Sequence, residues 1–555
     1  MKKIYRIIPF IKSRSGILSA FCLFAALTVF SETKLPSLDE AVVSKEDVWG
    51  LAAMRQTNGA SYEFFQKLLS PPRYVNADFH FYPILLSAPN AKIKARLISN
   101  GSGVNLNANG RQWKENGTPA IFRVGPDELG FGRFEERLQH PTLAEGYLPI
   151  VTIRYLHQTP ILAEGMVPLT QKRIERPSEI YQLESFVSTD PALAENAVAF
   201  VKFSLAQGTI GIVTLQIDSK SELKIEEGKI TDAQGQVLAY LDKNWKKSLD
   251  HAGKWRSPLV QAKLSSNTFA TIAIPTKPLS ENLKFSLANS TYDTQRNLCA
   301  ETWKKILAEG MNLETPEPVV NNAWRHLLIQ NFELINGNSI RYSAGYQYDA
   351  LYEAEGSDAA LAMMVWGYEK DMRRLLPPLF DFLRKGLEFH QAGFKLGDIC
   401  RYYWQTRDAS VMTEFRSRWE KEAQRLDKNR TGEHGLFPKE QYCGDVHTPV
   451  QSLNVNSKGW RALRDLSAVL GEVGEPVQAQ HYAQVATEFR KTVLTAIEKS
   501  INRSTTPPFV PIALYTNEPA HDPICDVRIG SYWNIIIGYT IASGIFPSGS
   551  AEENW

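Results

Sequence analysis

From about residue 35 to 298, apolar and polar positions alternate with a period of two. The run "VAFVKFSL" (Val198 to Leu205) is the clearest example and reads as a half-buried strand. "GIVTLQID", "SELKIEEGKI" and "NLKFSLANS" continue the pattern, and Gly, Asn and Pro clusters such as "SNGSGVNLNANG" punctuate it. Many short strands divided by turn signals predict a β-sandwich. The stretch "DVWGLAAMRQT" predicts a short helix ahead of it.

At Thr302 the period becomes helical. "TWKKILAEG" reads as a helix leaving the sandwich, and the proline-marked "ETPEP" separates it from the remainder of the chain. Eight helical runs are then expected, in the order "VVNNAWRHLLIQNFELI", "SDAALAMMVWGYE", "MRRLLPPLFDFLRKGLEFH", "FKLGDICRYYWQTRD", "SVMTEFRSRWEKEAQRL", "NSKGWRALRDLSAVLGEVG", "PVQAQHYAQVATEFRKTVLTAIEKS" and "GSYWNIIIGYTIASGIF". Ser357 or Asp358 is the expected N-cap of the second, and the prolines of the third are expected to mark its true start. Short links such as "QTRDAS" and "GEVGEP" predict antiparallel pairs. Long links before the second, sixth and eighth helices predict loops gathered at one end, where they form a functional face. The expected fold class is a multidomain β + α chain: an N-terminal β-sandwich, then an (α/α) toroid.

Composition narrows this picture. Net charge is +2, from 62 basic and 60 acidic residues. No sustained positive field arises, which argues against a nucleic-acid partner. The 12 Trp and 21 Tyr permit sugar stacking but equally fill cores. Lys2, Lys3, Arg6, Lys12 and Arg14 precede an uncharged, mostly apolar stretch, Ile17 to Phe30, and a small residue at Ser31. That is the pattern of a cleaved secretory signal, with no stable membrane span afterwards and a secreted or periplasmic protein as the expectation. The expected domains are residues 1–31 (signal), 32–300 (sandwich), 301–317 (helical linker) and 318–555 (toroid). Cys299, Cys400, Cys443 and Cys525 are too widely spread for a disulfide framework. Free thiols are expected, with one bridge permitted.

The phrases "YQYDALYEAEGSDAALAMMVWG", "YYWQTRDASVMTEF", "HGLFPKEQYCGDVHTPVQSLNVNSKGWRALRDLS" and "GSYWNIIIGYTIASGIFP" resemble the six-hairpin glycosidase superfamily, the (α/α)6-toroid enzymes such as glucoamylases and processing α-glucosidases. The resemblance spans roughly Thr302 to Trp555 and reaches the sandwich by architecture alone. It implies glycoside hydrolysis by two carboxyl groups, one protonating the departing oxygen and the other activating a water on the opposite face, with inversion. It places the acid between the fifth and sixth helices and the base near the eleventh. About eight helices are counted where the resemblance implies twelve, so a truncated toroid is expected, with the base lying beyond residue 555.

The loop from Asn429 to Asn456 holds Glu433, His434, Glu440, Tyr442, Asp445 and His447. Asp445, among Tyr442, Cys443 and Val446, is the expected acid because a catalytic acid needs a partly apolar setting; Glu433 is the second choice. Both also read as solvated loop charges. Before the second helix stand Tyr346, Tyr348, Asp349, Glu353 and Glu355. The resemblance implies that Asp349 binds sugar hydroxyls beside Tyr348 and Glu353; a helix N-terminal anion is the plainer alternative. Tyr402, Tyr403 and Trp404 lie on the fourth helix, and Trp460 and Trp533 are candidate sugar platforms or core aromatics. Asn454 and Asn456 bind sugar or cap the sixth helix. His434, Cys443 and His447 fit no zinc spacing, and neither a metal nor another cofactor is implied. Two other functions stay open. One is a polysaccharide lyase enlisting Tyr442, His447 and Arg461, and the other a non-catalytic carbohydrate-binding protein.

Overall fold

The computed structural model describes residues 35, 37–57, 61–68, 83–106, 117–158, 178–219, 222–226, 228–248, 259–279, 285, 287–341, 350–520 and 528–555. The expected signal segment, Tyr346, Tyr348, Asp349 and Cys525 lie outside these residues. The chain divides into two compact units, Met1–Tyr74 and Val75–Trp555. The first holds helices α1 (Leu38–Val42), α2 (Val48–Met54) and α3 (Tyr62–Leu68). Ser37 and Glu40 cap α1 reciprocally, and the Asp47 carboxylate accepts from Gly50 N at 2.8 Å to start α2, the helix expected from "DVWGLAAMRQT".

The second unit opens with two antiparallel eight-stranded sheets. One runs in the order Pro83–Leu86, Ala95–Ile98, Gly103–Val104, Ala120–Val124, Ile210–Ile217, Leu259–Ser265, Trp245–Lys247, with Leu129–Gly130 paired onto Ala120–Val124. The other runs Lys224–Glu226, Lys229–Thr231, Val237–Leu241, Ala270–Pro275, Val198–Gln207, Glu179–Val187, Leu148–His157, Thr142–Ala144. A short helix, α4 (Pro191–Ala194), joins two of its strands. The expected sandwich is therefore present, but its second sheet is buried on both faces. Ala199, Val201 and Phe203 enter the core between the sheets, while Val198 and Phe200 enter the core beneath the helices. "VAFVKFSL" alternates between two apolar environments rather than between core and water.

Helix α5 (Asn289–Glu309) covers that outer face. It begins well before Thr302, because Tyr292, Cys299 and Trp303 form one buried stripe along it. Tyr292 packs edge-on against Phe186 at 5.4 Å, and Phe186 stacks on Phe200 at 5.4 Å. Arg296 holds Glu184 of the sheet through two bonds of 2.8 and 3.1 Å. Among the described residues the last sandwich strand ends at Pro275, most of "NLKFSLANS" lies outside them, and this connecting helix starts inside the stretch assigned to the sandwich by periodicity.

The helical region comprises α6 (Pro318–Leu334), α7 (Glu353–Val365), α8 (Glu369–Asp381), α9 (Glu388–Thr406), α10 (Ser410–Glu414), α11 (Arg416–Lys428), α12 (Leu453–Glu472), α13 (Pro476–Ser500), α14 (Arg528–Ser543) and α15 (Ala551–Asn554). Two-stranded hairpins, Ile335–Asn336 with Ser339–Ile340 and Glu440–Gln441 with Pro449–Val450, sit in the longer loops. Helices α7, α9, α12 and α14 pack side by side as an inner row, while α8, α11 and α13 pack against them as outer partners. Links 366–368, 407–409 and 473–475 are short, whereas 335–352, 429–452 and 501–527 are long and lead into inner helices. That is the alternation expected from the sequence. No described helix is long and apolar enough to cross a membrane.

Three local expectations are corrected. Helix α7 starts at Glu353 after Tyr352, so Ser357 and Asp358 are interior positions and not caps. The third expected helix is two elements. Pro377 and Pro378 lie in the last turns of α8, which stops at Asp381, and α9 begins at Glu388. Proline there removes donors that the preceding turn would use, so the helix is ended rather than started by it. Helix α12 is capped by the Ser452 side chain on Val455 N, not by Asn454 or Asn456.

Candidate functional site

The inner helices enter from their long loops, so their N-termini gather at one end. Glu353, in the first turn of α7, is 6% exposed, and its Oε2 is buried without a hydrogen-bonding partner. Burial raises its pKa, and the Arg384 guanidinium, 3.8 Å from Oε1, only partly offsets this. Arg384 occupies the link between α8 and α9. It also donates to the Gly444 carbonyl at 2.8 Å, in the loop before α12. One guanidinium therefore ties Glu353 to the residue preceding Asp445. Asp445 itself is exposed and accepts from the Tyr532 hydroxyl of α14. This mouth draws on α7, the α8–α9 link, the α12 loop and α14.

Below the mouth, the four inner helices enclose a hollow of about 240 Å³ lined by Asp358, Phe394, Asp398, Arg401, Lys458 and Tyr539 among others. Tyr539 of α14 donates to Asp358 of α7 at 2.5 Å, joining the two ends of the inner row. The Ser357 hydroxyl donates to buried Asp398, which burial pushes up to about 7. Lys458 rests its amine 2.9 Å from the Phe394 ring centroid and 4.2 Å from that of Tyr539. Desolvation drives its pKa well below the ordinary lysine range, against the pull of Asp358 and Asp398. Burial likewise lowers His390, whose ring meets Phe394 at 5.0 Å.

Glu440 is a structural carboxylate. It is 4% exposed and accepts from the backbone N–H groups of Phe389 (2.6 Å) and His390 (3.1 Å), in the first turn of α9. Burial pushes it to about 7 despite those bonds. Glu440→Ala leaves two buried donors unmade and is expected to cost about 1–3 kcal/mol. Equilibrium denaturation in urea measures this; an unchanged midpoint would show that water replaces the carboxylate.

The other expected site residues are spread over the same end. Glu433 is exposed beside His434 at 3.5 Å, and His434 stacks on Tyr515 at 3.8 Å. Trp460 is 3% exposed, its ring between the guanidinium groups of Arg464 (5.2 Å) and Arg490 (5.5 Å), so it offers no open face to a sugar. Trp533 donates to the Val510 carbonyl at 3.0 Å and packs on Phe509 at 5.2 Å, fixing the loop before α14. Asn454 is buried with an unpartnered Oδ1, while Asn456 holds Phe437 N at 3.0 Å. Tyr402 and Tyr403 are buried. The Tyr442 hydroxyl donates to buried Glu518 at 2.8 Å, and burial together with that anion raises its pKa. A tyrosine base needs the opposite shift. Arg461, its proposed partner there, is spent on Asp465 at 2.5 Å.

Arg384, Lys458, Asp398, Tyr532 and Tyr539 are not among the candidate site residues of the sequence, although Lys458, Tyr532 and Tyr539 lie inside phrases that carry the resemblance. A usable signal existed for one of them: Phe394 and Asp398 stand four apart in "FKLGD", placing a carboxylate on the same face as an aromatic ring.

Among solved structures, the chain is similar to a bacterial glucoamylase complexed with acarbose, with TM-score 0.48 and 11% identity, covering 78% of this chain and 70% of that one. It is similar to a putative kojibiose phosphorylase from human microbiome, with TM-score 0.42 and 11% identity, covering 75% and 69%. It is also similar to a rhamnosidase from Klebsiella oxytoca with rhamnose bound, at TM-score 0.30 and 10% identity, covering 54% and 62%. No family model and no curated protein matches the sequence.

Proposed function

We propose that this protein is an exported enzyme that cleaves glycosidic bonds in an oligo- or polysaccharide, with Glu353 as the proton donor and Asp445 as the second carboxylate. The observation that carries the assignment is the buried Glu353 carboxyl, with one oxygen unpartnered, tied through Arg384 to the loop of Asp445. A raised pKa keeps a carboxyl protonated at the moment a leaving oxygen needs a proton. Glu353 fits that role better than Asp445, whose exposed setting suits an ionised group. Asp445 accepts the proton of an attacking water, oriented by the Tyr532 hydroxyl, while Glu353 protonates the departing oxygen. The sugar class rests on the resemblance of residues 302–555 to six-hairpin glycosidases. Export rests on the basic and apolar N-terminal pattern.

Reducing-sugar release from a panel of α- and β-linked oligosaccharides tests the reading directly. Turnover of at least one member is expected, and Tyr532→Phe is expected to slow it by about ten- to a hundredfold, the loss of one hydrogen bond to a charged group. Binding without release of any reducing end would leave a carbohydrate-binding protein.

A further inference from the structure

The floor of the hollow holds a group that glycoside cleavage does not use. Lys458 lies on α12 with its amine over the faces of Phe394 from α9 and Tyr539 from α14. Among the described residues it has no hydrogen-bonding or ion-pair partner within 4.0 Å. The carboxylates around it are engaged elsewhere. Asp358 accepts from Tyr539, Asp398 from Ser357, and Asp465 from Arg461 and Arg464. Arg401 adds a second cation to the same lining. An amine desolvated by aromatic rings and facing another cation is the arrangement that turns lysine into a nucleophile.

We propose that Lys458 is a nucleophilic lysine and that the hollow accepts a small aldehyde, of the open-chain aldose class, which it captures as an imine. The amine nitrogen adds to the carbonyl carbon to give a carbinolamine. The carbonyl oxygen then departs as water, carrying one proton from the nitrogen and one from the buried acid Asp398, which recovers its proton from the iminium nitrogen. No oxidant or reductant takes part. A hollow of about 240 Å³ admits a molecule of a few carbons without displacing the rings.

The groups facing Lys458 fix the pH behaviour. Asp358 and Glu353 of α7, Asp398 of α9 and the faces of the Phe394 and Tyr539 rings favour the ammonium, while Arg401 favours the free amine, and burial outweighs the carboxylates. The Lys458 charge in turn helps to lower the pKa of His390 of α9. Lys458 is therefore expected to remain reactive at pH values where ordinary lysines are protonated.

The test uses the full chain, glycolaldehyde as the probe and cyanoborohydride to reduce imines as they form, with peptide mapping by mass spectrometry. At pH 6.5, Lys458 is expected to be labelled at least about tenfold faster than exposed Lys421 and Lys491, since each unit of lowered pKa multiplies the free-amine fraction by ten. Lys458→Met is the blank and removes the modified peptide. Labelling of Lys458 no faster than Lys491 in the folded protein would overturn the proposal. So would a rate for Lys458 that falls tenfold per pH unit below pH 8 in step with exposed lysines. Neither readout depends on glycoside turnover, so the proposal can fail while the glycosidase reading stands.

Discussion

Glu353→Gln is expected to lower turnover of a natural oligosaccharide by more than about a hundredfold, because a general acid typically contributes 10²–10⁴. The amide keeps the volume and the position beside Arg384 but cannot release a proton to the leaving oxygen. The loss should be selective. A glycosyl fluoride departs without protonation, so its hydrolysis by Glu353→Gln is expected to stay within about tenfold of the parent, in line with loss of the acid role alone. In the parent protein, activity should fall as pH rises through the raised pKa of Glu353, since the protonated form is the competent one, and the variant should lose that alkaline limb. Asp445→Asn should behave differently, slowing both substrates because water activation is needed for each. If Asp445→Asn is the variant rescued by fluoride, the two roles are exchanged; if neither variant loses activity, the mouth is not the site.

These assignments show what sequence pattern conveys and where it stops. The alternation in Val198–Leu205 identifies a strand but not its second buried face. That face is covered by Tyr292, Cys299 and Trp303, whose spacing is helical but interrupted by polar residues. The long loops are legible from their Gly and Pro content, and with them the end of the inner helices that carries the mouth. Glu353 is legible as a sugar-binding carboxylate but not as a proton donor, because its burial beside Arg384 comes from the packing of α7 against the α8–α9 link. Asp445 is legible as a loop charge, but not its place in the hairpin that pairs Glu440–Gln441 with Pro449–Val450, where Tyr442 is buried and Asp445 is exposed. Lys458 is illegible for a different reason. Between Ser457 and Gly459 it reads as a solvated charge, and only the convergence of four helices desolvates it.

Lys94→Met is expected to destabilise the protein by about 1–3 kcal/mol near neutral pH, the cost of leaving buried hydrogen-bonding groups unsatisfied. Lys94 is 2% exposed and lies just before a sandwich strand. Its ammonium donates to the Ser87 hydroxyl (3.2 Å), the Ala91 carbonyl (2.8 Å) and the Ile335 carbonyl (2.9 Å), the last at the end of α6. It is also the cation that lowers the pKa of Glu333, a buried α6 carboxyl with one unpartnered oxygen that desolvation still raises to about 8. A carboxyl with a folded pKa above its unfolded value binds more protons when folded, so it contributes stability below about pH 4.5 that is lost progressively as pH rises towards 8. Urea denaturation across pH 5 to 9 reads both effects. Glu333→Gln should flatten the alkaline decline, since its amide has no proton to lose. Lys94→Met should steepen it, because the remaining carboxylate then ionises without a counter-charge. The double variant, with the charge removed from both sides of the joint between sandwich and helices, should recover much of the loss. A single Lys94→Met variant within about 1 kcal/mol of the parent at every pH would mean that solvent reaches Glu333 and the acceptors that Lys94 leaves.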